Sequence, residues 1–132
     1  MAIVGTGVDV VEVARVRSAL DEPTTGGRFK ARVFTVEEQR YCDARGPGRY
    51  ESYAVRFAAK EAAMKALGLG WGKAIGWLDV EVLRGADGAP TLRLHGKGAA
   101  AAAAAGAARF HLALSHTGAI AFAQVVAEDA AV

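Results

Sequence analysis

The segment RFAAKEAAMKALG, Arg56 to Gly68, constrains this chain more than any other stretch. Tyr53, Phe57, Met64 and Leu67 recur at helical spacing, so residues 51–67 are expected to form a helix that lays one apolar stripe on a core. Gly68 supplies the stop, because glycine takes the left-handed conformation that closes a helix. At 100° per residue Lys60 falls inside that stripe, while Glu61 and Lys65 lie together along its flank. Arg56, Lys60, Glu61 and Lys65 thus concentrate at the edge of the buried face. Two readings follow. Glu61 and Lys65 are a surface pair at i, i+4 with Lys60 snorkelling outward, or the four charges hold a ligand against rigid structure.

The rest of the chain reads as short strands and helices around this element. Ile3 to Asp9 is a first strand, with Val4, Thr6 and Val8 on one face and Ile3, Gly5, Gly7 and Asp9 on the other. From Val10 the spacing Val10, Val13, Val16, Leu20 predicts a helix, closed by Pro23 to Gly27. Thr35 with Glu38 is a capping box that starts a second helix, ended by Gly46-Pro47-Gly48. Gly68 to Gly76 is a glycine-rich connection. Leu78, Val80 and Val82, then Leu92 and Leu94, alternate on either side of the turn Gly85-Ala86-Asp87-Gly88 and predict a hairpin. The alanine tract 99–105 is one more short helix, ended at Gly106. Phe110, Leu112 and Leu114 form a strand that turns through His116-Thr117-Gly118 and returns as Ala119 to Val126. That returning strand is apolar on both faces apart from Gln124, so both faces should be covered, the outer one by a neighbouring subunit.

At 132 residues one domain spanning 1–132 is expected. A hydrophobic share of 52% against 23% charged residues excludes a disordered chain. The 16 Lys plus Arg against 14 Asp plus Glu leave a net charge of +2, too small to make nucleic acid the default partner. A small nucleic-acid-binding domain would have to draw on the arginines at 28, 32, 40, 45, 49 and 56, and Glu37, Glu38, Asp43 and Glu51 interrupt them. Cys42 is the only cysteine, which excludes an intrachain disulfide and suits a reducing cytoplasm. The opening MAIVGTGVDVV lacks the basic region of a secretion signal, and no membrane span is expected.

Asp9, at the expected exit of a strand, is an N-cap or a metal ligand. With Glu61 it could form the one or two carboxylates that Mg²⁺ uses in phosphate chemistry. His116 sits in LSHTG between two hydroxyls, Ser115 and Thr117. It is a structural turn histidine, or part of a set of donors to a phosphate.

Together GVDVVEVARV at 7–16, RVFTVEE at 32–38, RFAAKEAAMKALG at 56–68 and LSHTGAIAFAQVV at 114–126 resemble the holo-acyl-carrier-protein synthases, enzymes of 4′-phosphopantetheinyl transfer. The resemblance runs through nearly the whole chain in the right order. It implies an α+β subunit with an antiparallel sheet and a long helix, assembled as a homotrimer with active sites between subunits. It implies transfer of 4′-phosphopantetheine from coenzyme A to a serine of an acyl carrier protein, with Mg²⁺ as cofactor and 3′,5′-ADP as leaving group. By the same resemblance Asp9 and Glu61 match the metal ligands and Lys65 a catalytic lysine. Arg56, Lys60, Lys65, Ser115, His116 and Thr117 fall in the coenzyme A site, with Arg49 a further candidate for the 3′-phosphate. Arg15 and Arg28, with Phe29 as apolar anchor, match positions that meet the carrier protein, where scattered solvated arginines are the alternative. Arg15 and Arg17 lie about 200° apart on a helix and cannot both face one partner. A non-catalytic trimeric docking protein is a further alternative, weakened by the presence of Asp9, Glu61 and Lys65.

Overall fold

A computed structural model describes residues 1–69 and 75–130. Residues 70–74, read above as part of a glycine-rich connection, lie outside the described residues. The chain runs β1 (Ile3–Glu12), α1 (Val13–Asp21), α2 (Gly26–Val33), α3 (Val36–Asp43), α4 (Arg49–Ala66), β2 (Val80–Arg84), β3 (Pro90–Leu94), α5 (Gly96–Ala104), β4 (Arg109–His116) and β5 (Ile120–Glu128). This is an α+β fold with two antiparallel sheets. One has the order β1-β5-β4, and the other is the β2-β3 hairpin. Among the described residues no helix is long and apolar enough to cross a membrane.

The long helix α4 is the centre of the molecule. Its Tyr53, Ala54, Ala58, Ala59, Ala62, Ala63 and Met64 are all buried, and it packs across the inner face of the three-stranded sheet. That face carries Gly5, Gly7, Asp9 and Val11 of β1 in register with Ala127, Val125, Ala123 and Ala121 of β5. Such small residues have a reason. A Cβ on Gly7 would lie 1.9 Å from the Ala62 carbonyl oxygen, and one on Gly5 would lie 1.8 Å from that of Ala66. Helix and strand therefore touch backbone to backbone. At the far end α4 closes as a Schellman motif, with Gly68 at φ +72° and the Leu69 amide donating to the Met64 carbonyl at 3.0 Å.

Several sequence expectations hold. The Thr35–Glu38 capping box is formed in both directions, at 3.2 and 2.9 Å. The hairpin closes through Gly85 and Gly88, and Gly106 ends the alanine helix. Two expectations are corrected. The first strand does not end at Asp9, since Val10, Val11 and Glu12 continue the ladder opposite Phe122, Ala121 and Ile120. Three β-branched or paired residues thus stay extended, α1 starts at Val13, and its N-cap position is Glu12, so Asp9 caps nothing. The stretch 23–27 also does more than close a helix, because Gly26 opens the additional helix α2. Among the described residues β5 is covered on one face only. On the outer face of the sheet, Val4, Val8 and Val10 are exposed beside half-buried Phe122 and Val126.

Gly7→Ala forces β1 away from α4 and should cost about 3 kcal/mol. Urea denaturation monitored by circular dichroism should show a markedly lower midpoint, and an unchanged midpoint would contradict the close approach.

Candidate active site

The stepping of β1 along α4 builds the acidic part of the site. Gly5 meets Ala66 and Gly7 meets Ala62, so the strand advances two residues as the helix recedes one turn. Asp9 then falls opposite the turn that holds Ala58 and Glu61. Helical side chains lean toward the N-terminus, and Lys65 leans back along this flank. Its Nζ donates to Asp9 Oδ1 at 3.1 Å and to the Val8 carbonyl at 3.0 Å. Lys65 is half-exposed, so this ion pair contributes only about 0.2–1 kcal/mol and can be rearranged by a ligand. Asp9 Oδ2 is buried without a hydrogen-bond partner. A buried, unsatisfied carboxylate oxygen costs folding free energy unless a cation or donor completes it. Asp9, with half-buried Glu61 on the adjacent helix flank, has the donor chemistry of a hard divalent cation that keeps waters and substrate oxygens as its remaining ligands. Among the described residues no group of three or more His, Cys, Asp or Glu forms a self-sufficient metal centre.

The basic part lies beyond the other edge of the sheet. A cavity of about 310 Å³ is lined by Tyr41, Arg45, Ser52, Val55, Arg56, Arg84, Leu114, Ser115 and His116. Of the expected residues, the structure brings Arg56, Ser115 and His116 together here. Arg56 is only 3% exposed, donates from Nη1 to the Ser52 carbonyl at 3.2 Å, and has a buried Nε without a partner. His116 is exposed, its Nδ1 3.4 Å from the Thr117 carbonyl. Thr117 instead builds the turn, its Oγ1 accepting from the Ala119 and Ile120 amides at 3.1 and 3.0 Å. Arg49 is also held elsewhere, donating to the Gly46 carbonyl at 2.9 Å and to the Tyr50 hydroxyl at 3.0 Å. Arg45, Arg84 and Tyr41 were not among the expected site residues. Arg45 stands in an arginine-rich stretch, but Arg84 has no local signal, because only the hairpin brings it here.

Lys60 is the clearest departure. The expectation placed it among phosphate ligands, yet it is fully buried and its Nζ lies 2.7 Å from Glu38 Oε1. It also donates to the carbonyls of Trp77 and Val80. Burial pulls its ammonium below the usual lysine range, and Glu38 opposes that shift. With its donors directed inward to α3 and β2, Lys60 serves the core instead of a surface ligand. Cys42 nearby is buried too, and its thiol is pushed up to about 12 by desolvation.

The three docking candidates do converge. Phe29 separates two shallow grooves, one lined by Arg15, Val16 and Phe57, the other by Arg28 and Arg32, with Ala19 shared. Arg17 faces away, over the Tyr50 ring at 4.7 Å. A separate cavity of about 370 Å³, lined by Glu12, Arg17, Tyr50, Glu51 and Gly118 among others, contains none of the expected site residues.

An acidic pair on a strand–helix seam, with a guanidinium-lined cavity on the same small α+β scaffold, suits a protein that handles phosphorylated substrates. Comparison with known proteins makes this specific. Residues 5–122 match the 4′-phosphopantetheinyl transferase superfamily. The holo-[acyl-carrier-protein] synthase of Anaeromyxobacter dehalogenans is 53% identical over 97% of this chain and 98% of its own length. The Bacillus anthracis holo-(acyl-carrier-protein) synthase, solved in complex with CoA (3′,5′-ADP), superposes with a TM-score of 0.79 at 36% identity, covering 97% of this chain and 98% of that one. The Neisseria meningitidis holo-[acyl-carrier-protein] synthase gives 0.84 at 29% identity, covering 97% and 100%. The chain therefore belongs to the 4′-phosphopantetheinyl transferase superfamily, among its holo-[acyl-carrier-protein] synthases.

Lys60→Met leaves Glu38 buried without its counter-charge, and should destabilise the fold by about 3–5 kcal/mol. Urea unfolding measures this, and a stable Lys60→Met chain with impaired substrate binding would return Lys60 to the site.

Proposed function

We propose that this protein transfers 4′-phosphopantetheine from coenzyme A to a serine of an apo-acyl carrier protein, using Mg²⁺ and releasing 3′,5′-ADP. The observation that carries the reading is the pairing of an orphaned Asp9 carboxylate oxygen beside Lys65 with a cavity of arginines. The first would suit a divalent cation that neutralises a diphosphate, the second a further phosphate. Both features stand on a scaffold shared with the Bacillus anthracis enzyme solved in complex with CoA (3′,5′-ADP).

Asp9 and Glu61 would hold Mg²⁺, which supplies Lewis-acid neutralisation of the diphosphate. The serine hydroxyl gives up its proton to solvent as its oxygen forms a new bond to the phosphorus that carries pantetheine, while the bond from that phosphorus to the bridging oxygen breaks and 3′,5′-ADP departs with the electron pair. Lys65, half-exposed at the mouth of the seam, steadies the charge that grows on the departing oxygen. Arg56, Ser115 and His116 orient the nucleotide, so most of the rate enhancement lies in positioning and charge stabilisation. Arg15, Arg28 and Phe29 present cations around an apolar anchor, a surface suited to an acidic helical carrier. A cytoplasmic protein of this kind would serve fatty-acid or polyketide assembly.

A homotrimer completes this reading. β1 and β4 flank β5 in the sheet, so Asp9 and His116 stand two strand spacings apart, about 10 Å between strand axes. A second subunit laid on the exposed Val4, Val8 and Val10 face would cover apolar surface and bring another copy's histidine within range. The nucleic-acid reading gains nothing. Arg40 pairs with Glu37 at 2.6 Å, Arg49 is tied to its own helix start, and Arg56 is buried, so these arginines form no continuous stripe.

The direct test mixes the protein with apo-carrier, coenzyme A and Mg²⁺ and weighs the carrier. A phosphopantetheine mass should appear, be abolished by chelation, and drop at least about a hundredfold in rate for Asp9→Ala and Glu61→Ala. No added mass across several carriers would refute the function.

Subunit sharing has its own measurement. Inactive Glu61→Ala and inactive His116→Ala chains, co-refolded, should recover part of the wild-type activity, because mixed trimers retain some intact sites. No recovery, or a fully active monomer in light scattering, would confine each site to one chain.

A further inference from the structure

We propose that Tyr41 is a positioning residue for the arginine cavity, holding Arg56 and Arg84 in the orientation that receives the 3′-phosphate of coenzyme A. The inference rests on the reading above that coenzyme A is the donor. Tyr41 lies on α3 and is half-buried. Three guanidiniums surround its ring, with Arg56 at 4.2 Å, Arg84 at 5.5 Å and Arg45 at 5.7 Å from the centroid. The hydroxyl accepts from Arg84 Nε at 2.8 Å. No carboxylate lines the cavity, so nothing of opposite formal charge offsets three like charges there.

The aromatic face is the partial compensation, since its negative quadrupole attracts cations. It works from behind. Ring, hydroxyl, the Ser52 carbonyl and the Gly88 carbonyl fix the backs of the guanidinium planes. Arg56 Nε is left buried without a partner, on a side chain that lines this cavity. Arginine forks match the oxygens of a terminal phosphate in bidentate fashion. Asp9, which would serve the reacting diphosphate, stands on the opposite edge strand from His116. With the diphosphate assigned to that carboxylate and its cation, the phosphate left for an all-arginine cavity is coenzyme A's other one, the 3′-phosphate.

The test compares coenzyme A with 3′-dephospho-coenzyme A as donors for wild type, Tyr41→Leu and Tyr41→Phe, and measures 3′,5′-ADP binding by calorimetry. Wild type should prefer coenzyme A. Tyr41→Leu should lower that preference roughly tenfold, mostly through the KM for coenzyme A, and weaken 3′,5′-ADP binding about as much. Tyr41→Phe keeps the ring and should restore most of the preference, losing about two- to threefold for the missing hydroxyl. If Tyr41→Leu does not fold, that smaller, donor-selective loss in Tyr41→Phe decides the matter. Equal changes for both donors, or no change in 3′,5′-ADP affinity, would overturn the role of Tyr41. Wild-type transfer without preference between donors would also overturn it while leaving the transfer function standing. Absence of transfer in wild type would instead refute the function, and the calorimetry would then decide whether Tyr41 organises an anion site.

Discussion

The buried ion pair between Lys60 and Glu38 is the contact on which the other elements depend. Glu38 caps α3 through the Thr35 amide, pairs with Lys60 from α4, and accepts from the Val82 amide of β2 at 2.8 Å. One carboxylate thereby ties three elements whose positions nothing local would fix. Lys60 adds the carbonyls around the start of β2. Buried charges of this kind rarely gain net stability over an apolar pair, and their use lies in specifying one arrangement. Here the arrangement specified is the placement of the hairpin against α3 and α4. Arg84 leaves the end of β2 for the arginine cavity, so the cavity inherits its geometry from a pair that never touches it.

The acidic half of the site depends on a different constraint, the absence of side chains. Gly5 and Gly7 allow β1 to meet α4 at backbone contact, with Ala62 and Ala66 on the other side. Larger residues would lift the strand and carry Asp9 away from Lys65. A small-residue seam contributes less transfer free energy than a seam of leucines would, but it lets a polar group stand at its end in fixed register. The core compensates elsewhere, where Phe34 meets Tyr53 edge-on at 4.7 Å and Phe57 stacks on Trp77 at 4.8 Å.

Much of this was legible from residue order, for reasons particular to each element. The capping box, the hairpin turn and the glycine stops are local chemistry, settled within four or five residues. Val10 misled because one valine fits both periods: Val10, Val13, Val16 reads as a helix stripe, and Val8, Val10 reads as a strand face. Pairing with Phe122, over a hundred positions away, decided it. Lys60 lies on the apolar stripe that its spacing implies, but its counter-charge Glu38 already has a local role as a capping residue. Its second task became visible only when α3 and α4 were packed. Arg28, Phe29 and Arg15 came together as expected, whereas Arg84 and Tyr41 are joined across 43 residues by the hairpin and by nothing in their neighbourhoods.

The two halves of the site bear on the proposal that this chain acts with copies of itself. The seam faces α4 on the inside of the sheet, and its polar end opens where β1 forms an edge. Arg56, Arg84 and His116 gather at the other edge, beyond β4. No rotamer change spans the intervening strand, because β5 is hydrogen-bonded to both neighbours along its length. A donor reaching from cavity to seam within one subunit would have to span β5 and pass α4, which packs across that face. Across a symmetric interface the same donor could meet one subunit's arginines and the next subunit's carboxylates, and each interface would then carry one complete site. The uncovered Val4, Val8 and Val10 face supplies the apolar surface for such contact. In the proposed homotrimer the exposed sheet and the divided site would be one feature, since covering the first would reunite the second.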